Sequence, residues 1–91
     1  MKHLIKEALD DVKKDRLIDL MKKRWIGVSG MGWTITDVAD VWGTITLILA
    51  PRGEGEYFLD RLQQLRRMYG IEVAYMYESE YTELMRIINP T

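Results

Sequence analysis

Ninety-one residues make one domain and leave no room for two. With 47% hydrophobic and 30% charged residues, the chain has enough apolar material for a core and is not a disordered tail. The absence of cysteine excludes a disulfide scaffold, a thiolate zinc site and cysteine catalysis, and a net charge of −1 argues against a dedicated nucleic-acid binder.

Residues 2–25 carry a helical pattern that changes phase partway. Leu4, Ile5, Ala8, Leu9 and Val12 form one apolar stripe, and Leu17, Ile18, Met21 and Trp25 form another, roughly half a turn away at ~100° per residue. The change falls at Lys13-Lys14-Asp15. The chain either breaks there into two helices or continues as one helix that feeds two apolar environments. Gly27, Gly30 and Gly32 end the helical region and predict a flexible connection. Trp33 to Thr36 alternates like a strand, whereas Val38 to Trp42 is less regular, so Asp37 is expected at a bulge or at the start of a short helix.

Thr44 to Ala50 is the clearest strand, followed by a loop at Pro51-Arg52-Gly53-Glu54-Gly55. Glu56 to Tyr69 is the clearest helix, with Phe58, Leu62, Leu65 and Tyr69 on its apolar stripe and Gly70 at the position of a C-terminal cap. Ile71 to Tyr77 alternates again as a strand. Ser79 is the expected N-cap of a last helix buried along Tyr81, Leu84, Met85 and Ile88 and stopped by Asn89-Pro90.

The pattern predicts a small α+β domain with a mixed sheet of about three strands and helices mainly on one face. It divides into a helical segment (1–25), a sheet and helix core (31–78) and a C-terminal helix (79–89). Ile45, Leu47, Leu49, Ile71 and Val73 suit the covered sheet face, and Thr44, Thr46, Glu72 and Ala74 suit a wetter one. The strand–helix–strand run over 44–77 has the length of a right-handed parallel crossover. This string resembles the ferredoxin-like units of ACT and PII-type regulatory domains, and Gly30 to Val38 is similar to the second strand of a PII protein. The resemblance implies a fold and, by analogy, a small-ligand regulatory module.

The motifs that suggest chemistry are weak when read residue by residue. Gly27-Val28-Ser29-Gly30-Met31 lacks the second glycine of a nucleophile elbow, and a helix precedes it where a phosphate loop needs a strand. Thr34 to Gly43 resembles the first helix and turn of a LacI-type helix-turn-helix. The segment that follows is β-branched and apolar, without a basic face for reading bases. Basic clusters at Lys13-Lys14, Lys22-Lys23-Arg24 and Arg61 with Arg66-Arg67 are each matched by nearby acids, as on ordinary solvated helices. Asp37 with Asp40, and Glu54 with Glu56, are carboxylate pairs able to approach a hard cation, but no further ligand converges on them, and His3 stands alone.

No catalytic residue, metal site or cofactor is therefore expected. Trp25, Trp33 and Trp42, with Tyr75 and Tyr77, serve either as core or as a contact surface. The expected function is non-enzymatic protein interaction and oligomerisation, with the chain itself as first partner, in a homodimer or higher assembly, and another protein as a further one. The expected surface is Leu4, Ile5, Ala8, Leu9 and Val12, and the expected ligand or partner loop is Arg52, Gly53, Glu54 and Gly55. A ligand-binding regulatory module and a nucleic-acid-binding regulator are the alternatives. The charged N-terminus and the short apolar runs suggest a cytoplasmic setting without membrane contact. Scarce amides with abundant Glu, Lys and Arg are the drift of heat-adapted proteins, which six methionines oppose.

Overall fold

A computed structural model describes residues 11–51 and 58–89. Helix α1 spans Asp11–Trp25, and three strands follow it: β1 (Ser29–Gly30), β2 (Trp33–Val41) and β3 (Thr44–Pro51). Helix α2 (Leu59–Tyr69), strand β4 (Val73–Tyr77) and helix α3 (Glu78–Ile88) complete the order. The described residues form an α+β arrangement of three helices and a four-stranded mixed sheet in the order β1-β2-β3-β4, antiparallel except for the parallel β3/β4 pair.

Helix α1 runs unbroken through Lys13-Lys14-Asp15. Its second stripe reaches the core: Ile18, Met21 and Trp25 are buried and Leu17 packs against them. Leu4, Ile5, Ala8 and Leu9 lie outside the described residues. Two lysines fix the helix along β2. Lys14 Nζ lies 3.5 Å from Asp40 and Lys22 Nζ 3.9 Å from Asp37. Eight helical residues advance about 12 Å and three strand residues about 10 Å, so the two bridges match only if α1 runs antiparallel to β2. Asp37 and Asp40 stand on opposite faces of the strand by register, so α1 straddles the outer edge of β2.

The glycine-rich connection is more ordered than its composition suggests. The Gly27 N–H donates to the Ile35 carbonyl (2.8 Å) and the Ile35 N–H to the Val28 carbonyl (2.9 Å), which leads directly into β1. This fourth strand was beyond periodicity because it has only two residues. Gly30 is needed there, since a Cβ would overlap the ring of buried Trp33.

Strand β2 continues through Val38 to Val41, which rules out both the short helix and the helix-turn-helix reading. The expected irregularity is a bulge at Thr36, between the paired residues Ile35 and Asp37. The Thr36 hydroxyl donates to the Ile48 carbonyl across it (3.2 Å).

The core lies between one sheet face and the pair α1 and α2. Ile35, Val38, Ile45, Leu47, Leu49 and Val73 meet Ile18, Met21, Phe58, Leu62 and Leu65 there, all buried. Helix α2 keeps its predicted stripe and closes on Gly70 in the left-handed conformation (φ 66°), whose N–H caps the Arg66 carbonyl. The crossover from β3 through α2 pairs β4 directly beside β3. A split ferredoxin-like unit would leave room for a strand between them, so this sheet departs from that resemblance.

The last helix corrects the expected arrangement. It begins at Glu78, immediately after β4 and just ahead of the anticipated Ser79 cap, and the Tyr77 N–H donates to Glu80 Oε1 (2.9 Å). With no loop to carry it round the sheet edge, α3 turns back over the opposite face, where Ser79, Tyr81 and Thr82 line a groove with Thr36, Asp37 and Ile48. The helices therefore flank the sheet. The face expected to be wetter is covered at its centre: Thr46 is only 1% exposed, and its hydroxyl is satisfied by the Thr44 carbonyl (3.0 Å). Thr44 and Ala74 are half-buried, and Glu72 is exposed. No residue of α3 itself is buried; Tyr81, Leu84 and Met85 are half-buried and Ile88 is exposed. None of the helices described is long and apolar enough to cross a membrane.

Two stability measurements check this packing. Leu47→Ala should cost ~2–5 kcal/mol in denaturant unfolding, and a loss below half a kilocalorie would place Leu47 on the wrong face. Gly30→Ala should cost ~1–3 kcal/mol by forcing Trp33 from its site, whereas an unchanged midpoint would mean the ring is free to move aside.

Candidate interaction surface

Of the polar groups that suggested chemistry, Ser29, Asp37 and Asp40 are engaged structurally, whereas His3, Glu54 and Glu56 lie outside the described residues. The Ser29 hydroxyl shares a hydrogen bond with the Thr34 hydroxyl (3.0 Å) on adjacent strands. Asp37 accepts the Val38 N–H (2.8 Å) beside Lys22, and Asp40 accepts the Gly43 N–H (2.8 Å) beside Lys14. The two carboxylates thus diverge, each with its own lysine. Among the described residues no three His, Asp or Glu side chains are placed to hold a metal ion.

Members of each basic cluster are likewise engaged. Arg24 and Arg61 lie 5.7 and 5.6 Å from the Trp25 ring centroid, whose Nε1 donates to the Tyr69 hydroxyl (2.8 Å). Arg66 Nε donates to the Val73 carbonyl (2.9 Å) while Nη2 lies 3.5 Å from Glu72. The aromatic residues divide in two. Trp25 and Trp33 are core, and Trp33, Phe58, Tyr75 and Tyr77 form a run of ring contacts at 4.9, 5.5 and 6.2 Å.

Trp42 is the exception, with 78% of its surface exposed. Val41 pairs with Thr44, so Trp42 and Gly43 alone form the β2–β3 turn, with φ values of 49° and 86°. Positive φ at both positions defines the type I′ hairpin turn, which favours Asn, Asp or Gly at the first of them. Trp42 is also the sole non-glycine residue described with positive φ. A left-handed L-residue costs roughly 1–2 kcal/mol, and this conformation persists because the surroundings impose it. Asp40 holds the Gly43 N–H, and Lys14 donates to the Gly43 carbonyl (3.2 Å), so both polar groups of the turn glycine are tied down.

Of the surface expected from sequence, only Val12 lies among the described residues. It is 66% exposed, in the same first turn of α1 as Lys14. Val12 and Trp42 therefore share one end of the molecule. The loop residues Arg52, Gly53, Glu54 and Gly55 lie outside the described residues. Trp42 was within reach of sequence reasoning, since Trp-Gly between two β-branched runs is a two-residue hairpin connection with the wrong first residue.

Replacing Trp42 tests whether the turn is strained. Trp42→Asn supplies the favoured Asn-Gly pair and should raise stability by about 1 kcal/mol. A clear loss of stability would mean that the indole is packed rather than displayed. In the comparisons with known proteins, no family model, no curated protein and no solved structure matches this chain.

Proposed function

We propose that this chain is a non-enzymatic protein-interaction domain that associates with copies of itself and presents Trp42 as a contact residue. The observation that carries the reading is that a large indole is held outward, in an unfavourable backbone conformation, by two side chains that lock its turn. Tryptophan is the residue type most concentrated in binding hot spots, and a rigid turn loses little entropy when it docks.

Val12 supports the same end of the molecule, because the stripe that begins with Leu4 and Ile5 runs toward it in the sequence. Apolar residues at successive turns of a segment are the usual means of joining two copies. The engagement of Ser29, Asp37 and Asp40 in the hydrogen bonds and ion pairs above supports the non-enzymatic part of the reading.

Sedimentation over the micromolar range tests this reading, with tryptophan emission as a second signal. The wild type should associate reversibly, and Trp42 emission should shift to the blue as it leaves water, since Trp25 and Trp33 are already buried. Trp42→Asn and Val12→Glu should each weaken association without loss of the folded signal. A wild type that stays monomeric with unchanged emission across the range overturns the proposal.

A further inference from the structure

Among the described residues strand β4 ends the sheet, and its sequence carries none of the features that normally protect an edge. Val73-Ala74-Tyr75-Met76-Tyr77 contains no charge, proline or glycine, and its register with β3 runs through five consecutive pairs without a bulge. The opposite edge is treated differently, since β1 pairs with the start of β2 and α1 straddles the remainder.

The polar groups along β4 show which residues face outward. The Val73 carbonyl accepts from Arg66 Nε, and the Tyr77 N–H donates to Glu80 Oε1, both at 2.9 Å and both to partners outside the sheet. Backbone groups alternate sides along a strand, so Tyr75, midway between them, directs its N–H and carbonyl away from β3.

We infer that β4 pairs antiparallel with β4 of a second copy about a two-fold axis at Tyr75, joining the two sheets into one of eight strands. This rests on the self-association proposed above and adds a second contact to it, on the sheet edge opposite the one that α1 lies along. The register follows from the strand. Tyr75 meets Tyr75, Val73 meets Tyr77, and Ala74 meets Met76, so each sheet face continues its own residue set across the axis. Donors and acceptors match as well, since the Tyr77 N–H of one copy faces the Val73 carbonyl of the other.

The two side chains that cap the edge make a second copy the fitting occupant. The cap at Val73 is the cation Arg66, and the cap at Tyr77 is the anion Glu80. Antiparallel pairing brings the Val73 end of one copy to the Tyr77 end of the other. Each displaced guanidinium then meets a displaced carboxylate, twice by symmetry, and Glu72 remains 3.5 Å from the same guanidinium. An unrelated strand would have to supply both charges in the same order.

Because the chain has no cysteine, Ala74→Cys and Met76→Cys each introduce a single thiol. In this register positions 74 and 76 form a non-hydrogen-bonded pair with Cα atoms about 4.5 Å apart, within disulfide reach. Two copies of residue 74 lie on a diagonal of roughly 7–8 Å, at or beyond that reach. Under mild oxidation, a mixture of the two variants should form a covalent dimer several-fold faster than either variant alone.

Amide hydrogen exchange on the wild type provides a measurement without substitution. Exchange at Tyr75 should slow as concentration rises through the association range. Association in sedimentation without preferential cross-linking in the mixture, or with Tyr75 exchange independent of concentration, overturns the β4 pairing and leaves self-association standing. A strictly monomeric wild type overturns both.

Discussion

Strand β3 is buried on both faces, and the rest of the molecule is arranged to keep it so. Ile45, Leu47 and Leu49 face the core beneath α1 and α2, while Thr46 and Ile48 are buried on the other side, which α3 crosses. A strand of this kind needs a pairing partner on each edge and a layer on each face, because any backbone group left bare would be desolvated without a hydrogen bond. The antiparallel hairpin supplies β2, the crossover through α2 supplies β4, and the direct passage from β4 into α3 supplies the second layer. Thr46, the one buried polar side chain among the described residues, is tolerated because its hydroxyl bonds to the Thr44 carbonyl two residues back.

What could be read from sequence was the periodic part of this arrangement. Phe58, Leu62, Leu65 and Tyr69 recur at helical spacing and lie on the core as expected, and Gly70 ends their helix by the left-handed cap its position implied. The alternation of β3 was equally legible on its core face. It misled on the other, because threonine at alternate positions reads as solvent contact when its hydroxyl has a local backbone acceptor that a pattern does not reveal. The destination of α3 was illegible for a similar reason. An amphipathic helix shows that it has an apolar side, but only the length of the connection before it determines which sheet face that side meets. Strand β1 was missed because two residues have no period, and its place depends on Gly30 leaving room for Trp33.

The candidate surface was partly legible. Val12 belongs to a stripe visible in the sequence and is itself exposed, while the other residues of that stripe lie outside the described residues. Trp42 was visible as an aromatic residue, but the feature that distinguishes it from Trp25 and Trp33 is conformational. Its turn has only two residues because Val41 pairs with Thr44, and that register is set by the side chains alternating along both strands. The hairpin thus places tryptophan where asparagine would fit with less strain. Lys14 and Asp40, which hold that turn, also tie α1 to the outer edge of β2. One pair of charges therefore fixes the helix to the sheet and displays the indole.

The two sheet edges follow different logic. At β2 the helix that lines the core also lies along the strand, and its lysines reach Asp37 and Asp40 on the strand's two faces. At β4 the protection among the described residues is one guanidinium and one carboxylate, each bound to a single backbone group of the strand. Such caps hold off an indiscriminate strand, because displacing them leaves two charges without their acceptor and donor. They do not hold off a strand carrying the same caps in reverse order, since every charge released on one side meets its opposite on the other. A second copy of β4 meets this condition by symmetry, so in the proposed pairing the groups that discourage other strands would be the ones that select this one.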